Sequence, residues 1–389
     1  MAVTNTARRA IADIAITVAL FGALVLPVTG PALGLDASRS PNERRAKAPP
    51  PSRPRSLQAA WGFPGQFDSY FRDHFGFRSW LIRLHSRASL AMETRPTDTV
   101  PVVIGRDRWL YYSGDDALRY VEGRNRFSDE ALRNWVTCLQ DRSRWLAKRG
   151  ARYLVVIAPG KSSVYPEHLP AWIPLTTEGN RLDQLVKAVK GVPDVELLDL
   201  RSTLREAKRG AQVYDTTDTH WNALGAHAAY VAIIDRLARW FPGEAPVPLS
   251  RFDLSWRRGS GDLSEMLGLG ESMQETIPIL VRRSPNSFQN VDGRAFASLS
   301  RFPPIVTENR KARIERAVVF RDSFSIALMP FLPEHFGRSV FLRTTEFEAG
   351  VVETERPVLV IQEYAERFLS VLSPVNQPAI LQELHRGTR

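Results

Sequence analysis

The sequence predicts an α/β protein built on a mostly parallel central sheet flanked by helices. Three observations predict it. Short apolar runs at 153–157, 318–320, 340–342 and 358–361 have the length and flanks of buried strands. Capped helical segments separate them: Ser128 opens one that stops at Gly150, and others cover 181–190 and 223–240. Strands that alternate with helices return to one sheet in parallel.

In chain order, Arg8 and Arg9 precede an apolar stretch at 14–28. Residues 1–35 therefore read as a signal anchor or signal peptide, with an uncleaved anchor favoured because Pro31 follows the only plausible cleavage site. The basic flank lies first, which puts the rest of the chain outside the cytoplasm. Residues 36–60, rich in Pro and Arg, read as an extended linker. An aromatic-rich opening at 63–77 is helix or turn, and 100–112 is a strand pair turning at Gly105, Arg106 and Asp107. A strand at 195–198 follows the 181–190 helix, and helical stretches are expected after Phe324 and after Glu363. Residues 250–312 break the rhythm and are expected to form an insertion ahead of Ser323.

Composition narrows the classes. The chain has 389 residues, is 43% hydrophobic and carries a net charge of +10. These values exclude a disordered chain and a multi-span membrane protein. Residues 1–60 hold eight Arg/Lys against three acids, so the remainder is nearly balanced and offers no concentrated face for nucleic acid. Cys138 stands alone, which excludes an internal disulfide or a cysteine-rich zinc site. His220 and His227 without a third ligand do not make a metal site.

The chemistry concentrates in two segments. One runs from Tyr214 to Asn222, expected at a strand end ahead of the 223–240 helix, and contains Asp218, His220 and Trp221; the other is Arg321-Asp322-Ser323-Phe324, directly after a predicted strand. A serine at the C-terminal end of a parallel strand lies where open α/β sheets place their sites. Its hydroxyl needs a base to take the proton, and His220 suits that role. Asp218, two residues earlier, suits the orientation of the imidazole. A helix start at Ser323 would add backbone N–H groups for an oxyanion. Lys161 and Tyr165, after the strand at 153–157, are candidates for substrate contact, as are Trp221, Asn222 and Arg321. Asp73, His74 and Arg78 read as a structural polar cluster.

Several segments together resemble the SGNH-hydrolase-like O-acetyltransferases of bacterial exopolysaccharide assembly, typified by the alginate O-acetyltransferases. They are YFRDHFGFR at 70–78, IGRDRWLY at 104–111, APGKSSVYP at 158–166, TDTHWN at 217–222 and RDSF at 321–324, with a weaker match at Gly261-Asp262-Leu263. The resemblance covers about 61–370 and implies an SGNH-hydrolase-like domain over 61–389. It implies Ser323 as nucleophile, His220 as base and Asp218 as its orienter. It implies acetyl transfer to an extracytoplasmic polysaccharide, no cofactor, and a multi-span membrane acyltransferase as acetyl donor. An esterase with the same three residues, or a disabled glycan-binding subunit, are the alternatives. The family usually has Gly where this chain has Arg321, a side chain placed either to crowd the turn or to bind an anionic sugar or donor.

Overall fold

The computed structural model describes residues 48–92, 100–176 and 178–386, with residues 10, 13–22, 25 and 29. Most of the expected anchor and the first part of the linker lie outside the described residues. No helix among the described residues is long and apolar enough to cross a membrane. The chain divides into two compact units, Met1–Thr94 with Ser264–Ser272, and Arg95–Leu263 with Met273–Arg389.

The first unit contains helices α1 (Leu57–His74) and α2 (Arg78–Met92). Ser56 caps α1 by accepting the Ala59 N–H at 3.2 Å. Phe63, Phe67 and Phe71 stack along α1, and Asp73 near its end accepts the Ala48 N–H at 2.7 Å.

The second unit carries the sheet. Its strands are β1 (Val102–Ile104), β2 (Leu110–Tyr112), β3 (Arg152–Ala158), β4 (Leu197–Asp199), β5 (Phe252–Gly259), β6 (Glu275–Arg282), β7 (Gln289–Val291), β8 (Ile305–Glu308), β9 (Ile314–Arg321), β10 (Phe336–Arg343) and β11 (Leu359–Ala365). Among the described residues the main sheet has seven strands in the order β4-β3-β11-β9-β10-β8-β7. The first five are parallel, and β8 and β7 add an antiparallel edge. Alternate residues feed two cores. Leu154, Val156, Val319 and Ile361 face Ile233 and Ile234 of helix Ala223–Leu237, whereas Val155, Ile157, Val318 and Val360 face Trp135 and Leu146 of helix Asp129–Ala147. Helix Asp129–Ala147 starts on the Ser128 cap, which accepts the Ala131 N–H at 3.2 Å, and Gly150 (φ 73°) follows it in the left-handed region.

The helical stretches expected after Phe324 and Glu363 are 3-10 turns, at Phe324–Leu328 and Leu332–His335 and at Glu366–Ser370; Pro330 and Pro333 remove donors that an α-helix would need. Two expectations are corrected. The 250–312 segment is not one separate insertion: β5 and β6 form their own hairpin, but β7 and β8 join the main sheet. Asp218 and His220 do not sit at a strand end. They lie on a loop between helix Arg201–Ala207 and helix Ala223–Leu237, pinched by one bridge between Tyr214 and Trp221.

Candidate active site

Ser323 follows β9 at the C-terminal edge of the parallel strands. The Ser323 hydroxyl donates to His220 Nε2 at 2.8 Å. His220 Nδ1–H donates to Asp218 Oδ1 at 2.8 Å, and that oxygen also accepts the His220 backbone N–H at 2.8 Å. With Nδ1 protonated, Nε2 presents its lone pair to the serine, as a general base must. Burial alone would raise the Asp218 carboxyl, but its hydrogen bond to His220 and the nearby charge hold it below the usual range. It is therefore an ionised acceptor near neutral pH.

The loop bearing this pair is clamped on several sides. Glu275, at the start of β6, accepts Thr216 N–H at 2.8 Å, the Thr216 hydroxyl at 2.7 Å, Thr217 N–H at 2.8 Å, and the Thr217 hydroxyl. Asp262 accepts the Thr219 N–H at 2.8 Å, and the Asp262 N–H donates to Asp218 Oδ2 at 3.1 Å. Gly261 approaches so closely that a Cβ there would lie 2.4 Å from Asp218 N, which requires glycine. Asp218, His220 and Asp262 bring one ligand atom each within 4.8 Å, so a metal would compete with the hydrogen bonds that make the relay.

Lys161 is buried, and its ammonium donates to the carbonyls of Asp215 at 2.8 Å and Thr216 at 2.9 Å. Burial lowers its pKa to about 7 against the pull of Asp218, Glu275 and Asp215. It lines a cleft with Tyr111, Tyr112, Thr219, Phe324 and Arg367, but its nitrogen is turned toward the loop backbone. Tyr165 is packed against Trp109, and its hydroxyl accepts the Val213 N–H at 3.0 Å. Trp221 donates from Nε1 to the Phe324 carbonyl at 3.1 Å and meets that ring edge-on. Asn222 caps helix Ala223–Leu237, accepting Leu224 and Gly225 N–H groups at 3.1 Å. These three side chains are spent on internal bonds, so the structure gives them framework positions rather than exposed substrate contact. Trp221 couples the His220 loop to the Ser323 turn.

Arg321 is also internal, 2% exposed, with one guanidinium nitrogen donating to the Asp322 carbonyl at 3.0 Å. It does not crowd the serine, because the 2.8 Å contact with His220 is intact. The expected oxyanion donors are reduced by one. The Phe324 N–H is committed to Asp322 Oδ1 at 2.7 Å.

Sequence reasoning missed Glu275, Arg367 and Glu363. Arg367 donates to Asp115 at 3.2 Å and lies 5.8 Å from the centre of the Phe324 ring, on the cleft wall.

Fold and site define a class: an SGNH-hydrolase-like α/β protein with serine, histidine and aspartate in hydrogen-bonded series at the C-terminal edge of its sheet. The chain belongs to the family described as "SGNH hydrolase-like domain, acetyltransferase AlgX", which matches residues 102–298, just over half of the chain. That span holds Asp218 and His220 and ends before Ser323. A protein of Azotobacter vinelandii named "Probable alginate O-acetylase AlgJ" is 25% identical over 316 residues, 78% of each chain. One of the same name from Pseudomonas syringae pv. tomato is 30% identical over 179 residues, 46% of this chain and 44% of the relative. The chain thus matches less than half the length of several such relatives. The structure of Bacillus cereus PatB1, 17% identical, covers 70% of this chain and 98% of its own with a TM-score of 0.51, a likeness of fold.

Proposed function

We propose that the chain transfers an acetyl group onto hydroxyls of an extracytoplasmic polysaccharide through an acyl-serine intermediate on Ser323. The observation that carries this reading is the unbroken series Asp218–His220–Ser323, with 2.8 Å at each step. In the first half-reaction His220 Nε2 takes the proton of Ser323 as Oγ bonds to the donor acyl carbon. His220 then gives that proton to the leaving group as the acyl–leaving-group bond breaks. In the second half an acceptor hydroxyl loses its proton to His220 and attacks the acyl-serine, and the proton returns to Ser323 Oγ. Asp218 stays ionised and stabilises the imidazolium. The acetyl donor in this reading is a multi-span membrane acyltransferase, and the N-terminal segment at 1–35 keeps the chain near it. A periplasm-dependent reporter fused after Arg389 tests the topology; activity only of a cytoplasmic reporter would overturn it.

The experiment supplies a small acetyl ester with and without an oligosaccharide acceptor. Acetylated glycan, and release of the leaving group that rises with acceptor, supports transfer. Release unaffected by acceptor, with free acetate as the sole product, points to an esterase. Full turnover by Ser323→Ala would end the serine account.

A further inference from the structure

We infer that Glu363 is a positioning residue for the nucleophile, holding the turn that carries Ser323 from inside the sheet. The inference rests on Ser323 being the nucleophile. Glu363 lies on β11 with the apolar Val156 of β3 as its register partner, and it is 1% exposed. Its Oε2 accepts the Asp322 N–H at 2.9 Å and the Ser325 hydroxyl at 2.8 Å. These are groups of the residue before Ser323 and of the second residue after it. A single carboxyl oxygen therefore bridges both sides of the nucleophile. Asp322 completes the brace in the opposite direction: its Oδ1 accepts the Phe324 N–H at 2.7 Å, and its Oδ2 accepts the Ala365 N–H of β11 at 2.6 Å. Because the following segment is a short 3-10 turn rather than an α-helix, little regular backbone hydrogen bonding fixes Ser323. The Glu363–Asp322 brace supplies that rigidity.

The protonation state follows from the surroundings. The charged groups near Glu363 are Asp322 and Arg321 at the end of β9; Arg343 of β10 acts on Asp322 and Arg321. Arg142 of helix Asp129–Ala147 bonds Gln362 and Tyr364, the strand neighbours that point to the other face. Burial, reinforced by the Asp322 carboxylate, pushes the Glu363 carboxyl well above its ordinary range. The brace is thus made with a neutral acid. Ionising it would set two carboxylates against each other beneath the nucleophile.

Glutamine reproduces a neutral carboxyl's acceptor oxygen and cannot ionise. The test measures kcat and KM of acetyl-ester turnover at pH 7 for wild type, Glu363→Gln, Glu363→Asp, Glu363→Ala and Ser323→Ala, with folding checked by thermal melting. Glu363→Gln is expected within about threefold of wild-type kcat and KM, and Glu363→Asp, whose carboxyl stops one methylene short of both donors, to fall between Gln and Ala. Glu363→Ala is expected to lose about 10- to 100-fold in kcat with KM nearly unchanged, the scale of a small misplacement of a reacting atom. Turnover in Ser323→Ala would overturn the nucleophile reading itself. With Ser323→Ala inactive, a folded Glu363→Ala of wild-type kcat, or a Glu363→Gln as impaired as Glu363→Ala, overturns the positioning role. If Glu363→Ala fails to fold, Glu363→Asp takes its place, and wild-type kcat in that variant overturns the role.

Discussion

The loop that carries Asp218 and His220 and the turn that carries Ser323 meet at one hydrogen bond, yet they are held by different physics. The loop is held by the Asp218 carboxyl, kept below its usual range, and by Glu275, which gathers four donors from Thr216 and Thr217. The turn is held by Glu363, which burial drives toward its neutral form, and by strand-to-turn bonds through Asp322. In the proposed reaction His220 changes charge, so a partly solvated frame with a carboxylate beside it can respond. Ser323 in its proposed role needs only a fixed position, which a buried frame supplies with less dependence on salt.

The largest way to break this division is to remove the members of the relay in turn. Ser323→Ala and His220→Ala should each lower acetyl-ester turnover by at least about 10³-fold, and the double variant should lose little more, because the members act as a unit. Asp218→Asn should cost about 10- to 100-fold less than either, since the remaining amide still touches Nδ1 while losing charge support. Single and double variants whose losses simply add would show that the serine and histidine act separately.

A smaller effect separates frame from chemistry. Glu275→Ala strips the acceptors from two backbone N–H groups and two hydroxyls of the base loop. It should lower unfolding free energy by about 1–3 kcal/mol, the cost of leaving such donors without partners. Turnover should fall with it, because the loop that aims His220 loosens. Denaturant titration and kinetics on the same samples check both; full activity with lowered stability would confine Glu275 to a structural role.

How much of this was legible in the sequence follows from the distances between partners along the chain. Asp218 and His220 are two residues apart, and Ser323 comes three residues after an apolar run ends at Phe320, so local pattern exposed all three. The braces are distant: Glu275 meets a loop more than 50 residues earlier, and Glu363 meets a turn about 40 residues earlier. Only the sheet order, β11 beside β9, brings the latter pair together. A signal was present, since Gln362 and Glu363 interrupt an otherwise apolar strand, and a carboxyl in a buried strand must find partners. Trp221 and Asn222, named as candidates for substrate contact, are engaged in internal bonds for a related reason. An Asn directly before a helix is first of all an N-cap, and Asn222 fills that position.

The smallest expected effect lies in the pH dependence of the base loop. Burial, then the Glu275 carboxylate, raises Asp215 from 3.8 to about 7. Between those values the folded chain holds a proton that the unfolded chain has released, so stability falls as pH rises from about 4 to 7. Lys161 acts with the opposite sign. Its pKa is lowered from 10.5 to about 7, so above pH 7 the unfolded chain binds the extra proton and stability rises with pH. The two groups lie against the same loop and together place a local minimum of stability near pH 7. Asp215→Asn keeps an oxygen for Asn222, which donates to Asp215 at 3.4 Å, and removes the ionisation. The variant should match wild type at pH 4 and exceed it by about 1–2 kcal/mol at pH 7–8, a discounted share of the full linkage. The rise above pH 7 should survive in the variant, because Lys161 remains. Unfolding free energies from denaturant titrations at pH 4, 6, 7 and 9 measure it. A wild-type-to-variant difference that does not change with pH would mean that Asp215 is already ionised in the folded loop, and that the loop is held by charge alone.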